Sequence, residues 1–417
     1  MRILVLTPYL PHRRVGHGGG IAVRDLLSWL ARRHEVTAAC LVRPGERDLV
    51  EDVRALGVAV EPLPFADRHA QGAARARLVL HRAAAAGRAS RSGFPVYVEK
   101  YWSPDLADRI TAIARRVQPD AVQVEYLQMA LYCRDLRRLR PGFSPRLVLN
   151  THELGSVPRD RRAQLATGPL ARALASAEAA RWRRLQVAAC GWADRTLCVT
   201  PEDRDLLAAM GGVRLSTVPL GMDLEAIRPD WEPAAGSRRY LFVGSFGHAP
   251  NRSGARLLVD VVWPLVRQAQ PDAQLELVGR GWESFLAKRG GAESCARLGV
   301  TALGFVDDLG PVFRHCHAFA APLTEGGGIK IKILEALARG VPVVTTPVGA
   351  EGIAPSGGEA LLVAPADAGF AAAMTRLADD AGLAARLAQG GRKLMEQNFG
   401  WDAITTRLTN IYEGLED

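Results

Sequence analysis

Residues 319–349 read FAAPLTEGGGIKIKILEALARGVPVVTTPVG, and this stretch decides the fold class. The apolar run at 318–321 predicts a strand. Gly326, Gly327 and Gly328 follow and open a helix that carries Lys330, Lys332 and Glu335. Gly340 ends that helix as a cap, and Pro342 leads into the next strand, at 343–346. A glycine loop at a helix N-terminus exposes backbone N–H groups and the positive end of the dipole, which suits a phosphate. The glycines alone fit an ordinary strand–loop–helix turn equally well. The lysines add positive charge where the dipole alone would disfavour it, so a bound anion is the natural explanation. Glu335 lies one turn beyond Lys332 on the same face, where a carboxylate can accept hydrogen bonds from sugar hydroxyls.

The same rhythm extends in both directions. Strands are predicted at 2–7, 36–41, 58–62, 120–126, 146–151 and 195–199. Helices are predicted at 21–33, 71–89, 103–118, 169–193 and 201–210. A loop at 8–20 ends in Gly18, Gly19 and Gly20 and opens the first helix. Pro219, Pro229 and Pro233, with Gly221 and Gly236, read as a linker. A second α/β unit starts with a strand at 240–244 and a helix at 251–268, and later holds the opening stretch. These elements predict two Rossmann-like domains with doubly wound parallel sheets, at 1–218 and 219–400. A cleft is expected between their sheet edges, and the amphipathic tail at 401–417 is expected to cross back onto the first domain.

The chain has 417 residues, too long for one typical core. It is 48% hydrophobic and 23% charged, as soluble globular proteins are, with a formal net charge of +9. Arginine is dense at 68–91 and 134–146, and these segments are candidates for peripheral contact with an anionic membrane. No aromatic interleaving or nucleic-acid motif accompanies them, so nucleic acid is not an expected partner. The six cysteines are scattered, form no Cys-x-x-Cys pair and read as buried free thiols of a reducing cytosol. No signal peptide or membrane-spanning run is read, so the chain is expected to be cytoplasmic or peripheral to the inner face of the membrane.

From Gly326 to Val344 the pattern Gly-Gly-Gly-x-x-x-Lys-Ile-Leu-Glu-Ala-x-Ala-x-Gly-x-Pro-Val-Val resembles the donor-binding motif of family 4 glycosyltransferases. These are retaining, nucleotide-sugar-dependent enzymes of GT-B fold. The resemblance implies a nucleoside-diphosphate sugar bound mainly by the second domain and a hydroxyl acceptor (glycan, lipid-linked sugar or small metabolite) against the first. It implies no metal or other cofactor. Lys332, Lys330, loop amides and helix dipoles would meet the leaving-group charge. Gly244-Ser245 with Pro250-Asn251 resembles the family's Gly-Ser-x-x-x-x-Pro-Asn turn, where backbone approaches the diphosphate and Ser245 offers a hydroxyl. Arg252 follows, without the lysine many relatives add. Phe305 and Val306 match a segment that edges the base.

Glu335 matches the second, ribose-binding glutamate of Glu-x7-Glu. The first position is Gly327 here, and Glu325 lies two residues earlier. Gly326, Gly328 and Ile329 complete the donor loop. In the first domain His152 matches a histidine that faces the donor sugar, and Glu125 and Glu153 sit at comparable strand ends. Gly18–Gly20 resembles the family's first glycine loop, close to the phosphates or the acceptor; the residues alone also read as a tight turn. His152, Lys332 and Glu335 are the candidate catalytic residues. No protein nucleophile is named, because a donor phosphate oxygen can take the acceptor's proton. A nucleotide-sugar 2-epimerase of the same fold and a non-catalytic sugar-nucleotide-binding protein are the alternatives.

Overall fold

The computed structural model describes residues 1–15, 18–65, 72–140, 142–234, 236–326, 328–354 and 357–415. Its contacts divide the chain into two units, Met1–Gly221 with Trp401–Asp417, and Met222–Gly400.

The first unit is built on seven strands: β1 (Arg2–Thr7), β2 (Glu35–Val42), β3 (Ala59–Pro64), β4 (Ala121–Glu125), β5 (Arg146–Asn150), β6 (Arg195–Cys198) and β7 (Leu215–Thr217). All pair in parallel, in the order β3-β2-β1-β4-β5-β6-β7. Parallel strands need crossovers, and the crossover helices cover both faces of the sheet. The strands therefore read as apolar runs without alternation. Ile3, Val5, Ala38 and Cys40 pack into one core, and Leu4, Leu6, Ala39 and Leu41 into the other. The direction of winding reverses between β1 and β4, the place where such sheets bind ligands beyond the strands' carboxyl ends.

The second unit has six parallel strands: β8 (Arg239–Val243), β9 (Gln274–Val278), β10 (Val300–Gly304), β11 (Ala318–Ala321), β12 (Val343–Thr345) and β13 (Leu362–Val363). Their order is β10-β9-β8-β11-β12-β13, so the winding reverses between β8 and β11. Tyr240, Phe242, Leu275, Leu277, Phe319 and Val343 are buried along the central strands.

The C-terminal helix, Trp401–Glu413, belongs to the first unit. Its Trp401, Ile404, Leu408, Ile411 and Tyr412 enter the same core as Ile3, Val5 and Leu27.

Several elements differ from the sequence reading. Gly18, Gly19 and Gly20 do not close a loop; they are the first turn of a helix, Gly18–Ala31. Glycine in a helix costs about 1 kcal/mol against alanine, which is why the triplet reads as a loop. The expected helix at 251–268 is interrupted: Ala249–Leu257 and Trp263–Ala269 are α-helical, and Leu258–Val262 between them is a π turn. Helices at Ala130–Arg137 and Val157–Leu165 lay outside the reading. The proline-rich stretch after Gly221 is fastened to the second unit. Arg392 donates to the carbonyls of Leu224 and Ile227, and the Trp231 indole donates to Cys316 at 2.9 Å. The arginines at 134–146 are partly committed, since Arg137 and Arg140 both pair with Asp194.

All six cysteines are buried and unpaired. Among the described residues, no helix is long and apolar enough to cross a membrane.

Candidate functional site

In the second unit the predicted donor residues follow β8, β10 and β11. The turn after β8 begins at Gly244, and nothing larger fits there. A Cβ on Gly244 would lie 2.6 Å from Asn251 Nδ2 and 2.8 Å from Lys332 Nζ. The backbone of Gly279, after β9, presses on the other side, where a Cβ would meet the Gly244 carbonyl at 2.2 Å. The turn is thus packed backbone against backbone, and its shape depends on the missing side chains.

Asn251 ties this turn to the glycine-loop helix. Its Nδ2 donates to the Ser245 carbonyl at 2.9 Å, and its Oδ1 accepts a short hydrogen bond from the Lys332 ammonium. Lys332 also lies 5.0 Å from the centre of the Phe242 ring. Burial, with Lys330 nearby, lowers the Lys332 pKa from 10.5 to about 7. Its hydrogen-bond partner is an uncharged amide, and a multiply charged anion beside it would restore its proton. The Ser245 hydroxyl accepts from the Gly247 amide at 3.3 Å, and Arg252 braces the turn through the carbonyls of Phe246 and Gly247.

Gly326 (φ 106°) and Gly328 (φ 68°) have the left-handed backbone that favours glycine. Gly327 lies outside the described residues. Ile329 is buried. Lys330 precedes the helix instead of riding on it. It occupies the N-cap position of Ile331–Ala338 without a capping side chain, and its ammonium donates to the Gly328 carbonyl at 2.5 Å, with Glu351 at 3.6 Å. Lys332 alone lies in the first turn. Glu325 accepts from the Ser253 hydroxyl at 2.5 Å. Glu335 pairs with Arg339, one turn further on, at 3.1 Å, and burial raises its pKa. Lys332 and Glu335 share a face without pairing. Phe305 is 56% exposed, with the Arg280 guanidinium 4.3 Å from its ring centre. Phe305 and Val306 follow β10, two strands away from β8, so the structure does not bring them against the lysines.

In the first unit His152 stands just beyond β5. It is buried, and its backbone is left-handed (φ 56°). Its Nε2 makes a short hydrogen bond with Glu125 Oε2 at the end of the neighbouring β4. Tyr126, also left-handed at φ 69°, stacks on the imidazole with centroids 3.6 Å apart and planes 3° apart. Two non-glycine residues with left-handed φ thus stack at adjacent strand ends. Asn150 completes it: its Oδ1 accepts from the His152 amide at 3.3 Å, and its Nδ2 donates to Glu125 at 3.2 Å. Glu125 is fully buried, whereas Glu153 is exposed. Gly18 and Gly19 are half-buried and Gly20 is buried. The sequence reading missed Asn150, Tyr126 and the role of Asn251. Only Asn251 had a local signal, the Pro250-Asn251 pair.

The profile described as Glycosyltransferase Family 4 matches residues 16–226, and that described as Glycosyl transferases group 1 matches residues 237–380. The phosphatidyl-myo-inositol mannosyltransferase of Mycobacterium tuberculosis is 29% identical over 208 residues, 47% of this chain and 53% of that protein. The GDP-mannose-dependent monoacylated alpha-(1-6)-phosphatidylinositol monomannoside mannosyltransferase of Corynebacterium glutamicum is 33% identical over 174 residues, 39% of this chain and 44% of that protein. The chain spans about half the length of the curated relatives it matches. Sucrose-phosphate synthase from Thermosynechococcus elongatus superposes with a TM-score of 0.70 at 20% identity, covering 100% of this chain and 99% of that one. Anabaena HepE in complex with UDP superposes with a TM-score of 0.68 at 15% identity, covering 99% and 100%. At these identities the likeness is one of fold.

Proposed function

The chain belongs to glycosyltransferase family 4, and from that premise we propose that it moves a hexosyl group from a nucleoside-diphosphate sugar to a hydroxyl acceptor with retention of configuration. The observation that carries this reading is Lys332, a desolvated ammonium held by Asn251 against Gly244, beside a glycine loop and a helix N-terminus without a capping side chain. Such a group is poised for the charge that develops on a departing diphosphate. The sugar C1–oxygen bond breaks, the acceptor hydroxyl attacks on the same face, and a donor phosphate oxygen takes its proton. Lys332 and the loop amides hold the leaving group, so we propose that no metal is required. Glu335 is assigned to the ribose. Two relatives are named as mannosyltransferases of phosphatidyl-myo-inositol and of a phosphatidylinositol monomannoside, and HepE is in complex with UDP. We therefore favour a hexose donor and a lipid-linked acceptor.

A thermal-shift panel of UDP, GDP, ADP and dTDP and their hexose conjugates, with EDTA present, tests the donor site. One nucleotide series should raise the melting temperature by mass action. Glu335→Ala should weaken that response roughly tenfold in ligand concentration, as loss of a hydrogen bond to a charged group does. No response from any nucleotide, or an unchanged response in the variant, would count against the assignment.

We further propose that the protein is cytoplasmic and works at the surface of an anionic membrane. The support is a helical hairpin, Val157–Leu165 and Pro169–Trp192. Around its turn Leu165, Leu170 and Leu174 are 81%, 72% and 64% exposed. Arg161, Arg162 and Arg172 accompany them, and residues 161–177 contain no acid. Exposed leucines rimmed by arginines suit the headgroup–acyl boundary of anionic lipid. Leu170→Glu with Leu174→Glu should abolish cosedimentation with phosphatidylglycerol vesicles and leave nucleotide binding intact. Equal cosedimentation of both proteins would refute this placement.

A further inference from the structure

We infer that Glu125 acts through His152. Held by Gln123, Asn150 and Tyr412, it fixes the imidazole proton on Nε2 and so presents Nδ1 as a hydrogen-bond acceptor for a substrate hydroxyl. The glycosyltransferase reading enters only in the identity of that hydroxyl, on the transferred sugar or the acceptor.

The argument is one of donors and acceptors in a buried chain. The Tyr412 hydroxyl donates to Gln123 Oε1. The Gln123 amide turns its Nε2 towards Glu125 and donates to Oε1 at 2.5 Å, an orientation that lets the Tyr412 hydroxyl donate to its oxygen. Asn150 is fixed in the same way. Its oxygen faces the His152 amide N–H, and its Nδ2 faces Glu125 Oε2. Both neighbouring amides donate to Glu125, a setting that suits the carboxylate, which only accepts. The remaining partner of Oε2 is His152 Nε2, which donates to that carboxylate. In a neutral ring the lone pair is then on Nδ1.

The ring cannot turn to exchange its nitrogens. One face is stacked on Tyr126 and Nε2 is tied to Glu125. Nδ1 has no hydrogen-bond partner among the described residues, and 6% of the His152 side chain is accessible. The donor at the far end is Tyr412, from a helix that arrives 260 residues after His152. That helix is therefore part of the machinery that sets the ring's proton. Glu125, Gln123, Asn150 and Tyr412 are positioning residues; none is argued to touch substrate.

The test reads the ring directly. Protein labelled with 15N-histidine is examined by long-range 1H–15N correlation at pH 8, and His152→Gln identifies the signal by its absence. The wild type should show the Nε2–H tautomer. Glu125→Gln can present an amide N–H to Nε2 and should move the ring to the Nδ1–H form, and Tyr412→Phe, which frees Gln123 to flip, should give a mixture. In transfer assays Glu125→Gln should lower kcat by roughly 10²- to 10⁴-fold with KM within about threefold, as a wrong tautomer does in a histidine–carboxylate pair. Glu125→Asp should recover part of the loss.

An Nδ1–H or doubly protonated ring in the wild type overturns the inference. So does an unchanged tautomer in both Glu125→Gln and Tyr412→Phe. The expected tautomers without transfer to any hydroxyl would support the positioning and refute the transferase reading.

Discussion

Lys332→Met should weaken nucleoside-diphosphate binding roughly 10- to 100-fold at pH 6, the loss expected for a charge-assisted hydrogen bond to a phosphate. It should also remove a pH dependence that the wild type shows. In the ligand-free protein burial holds the Lys332 pKa at about 7. A diphosphate beside the ammonium raises that pKa, so above pH 7 the complex holds more protons than the free protein. Affinity then falls as pH rises through and above 7, by at most about tenfold per unit for one proton. Titration calorimetry in two buffers of different ionisation enthalpy would count the proton taken up. Uptake that persists in Lys332→Met would assign the proton elsewhere. The same shift acts on stability with its own sign. Between about 7 and the ordinary value of 10.5 the unfolded chain binds the proton that the folded chain does not. Unliganded protein therefore gains stability from this group as pH rises across that window.

Trp282→Ala should cost about 3–5 kcal/mol in the unfolding of the second unit. Trp282 is fully buried and packs edge-on against Phe242, Phe246 and Phe285, with ring centroids 5.3 to 5.7 Å apart. Its indole N–H donates to the Val278 carbonyl at 3.1 Å. Removing it leaves a cavity and takes one of two donors from the Val278 carbonyl, which keeps the Gly244 amide at 2.8 Å. Phe246 belongs to the turn that begins at Gly244, so the cavity lies directly under the proposed phosphate turn. Nucleotide affinity should fall along with stability. Urea denaturation followed by tryptophan fluorescence and circular dichroism measures the cost, and a loss below about 1 kcal/mol would mean that the site repacks.

Legibility in the sequence followed the range of the interactions. The glycine loop and its helix could be read because the signals are local: Gly326 and Gly328 need left-handed backbone, and Gly340, also left-handed, stops the helix. The parallel strands could be read because burial on both faces makes them uniformly apolar. The Gly18–Gly20 triplet misled because the helix buries Gly20 with Ala22 and Val23, and that burial overrides glycine's low helix propensity. The helix at Val157–Leu165 escaped because its Pro158 reads as a break, whereas proline is tolerated in the first turn. His152 could be named from its strand end. Its setting could not, because Glu125 lies 27 residues upstream and Tyr412 lies 260 residues downstream. The arginines at 137 and 140 looked free because Asp194, which meets them both, comes more than 50 residues later.

The assignment of Trp401–Glu413 to the first unit has a consequence for biosynthesis. Residues 1–221 leave the ribosome well before the helix that completes their core. At roughly 5–20 residues per second, the 191 residues from Gly221 to Tyr412 take about 10–40 s to synthesise. Throughout that interval the nascent half exposes the apolar groove destined for Trp401, Ile404, Leu408 and Ile411, while Gln123 waits for its tyrosine. The second unit, contiguous in the chain, can close first. Ribosome-associated holdases therefore have their natural client in the earlier-made half, and nonsense codons after residue 400 would release a chain whose second unit folds and whose first unit is surrendered to proteases.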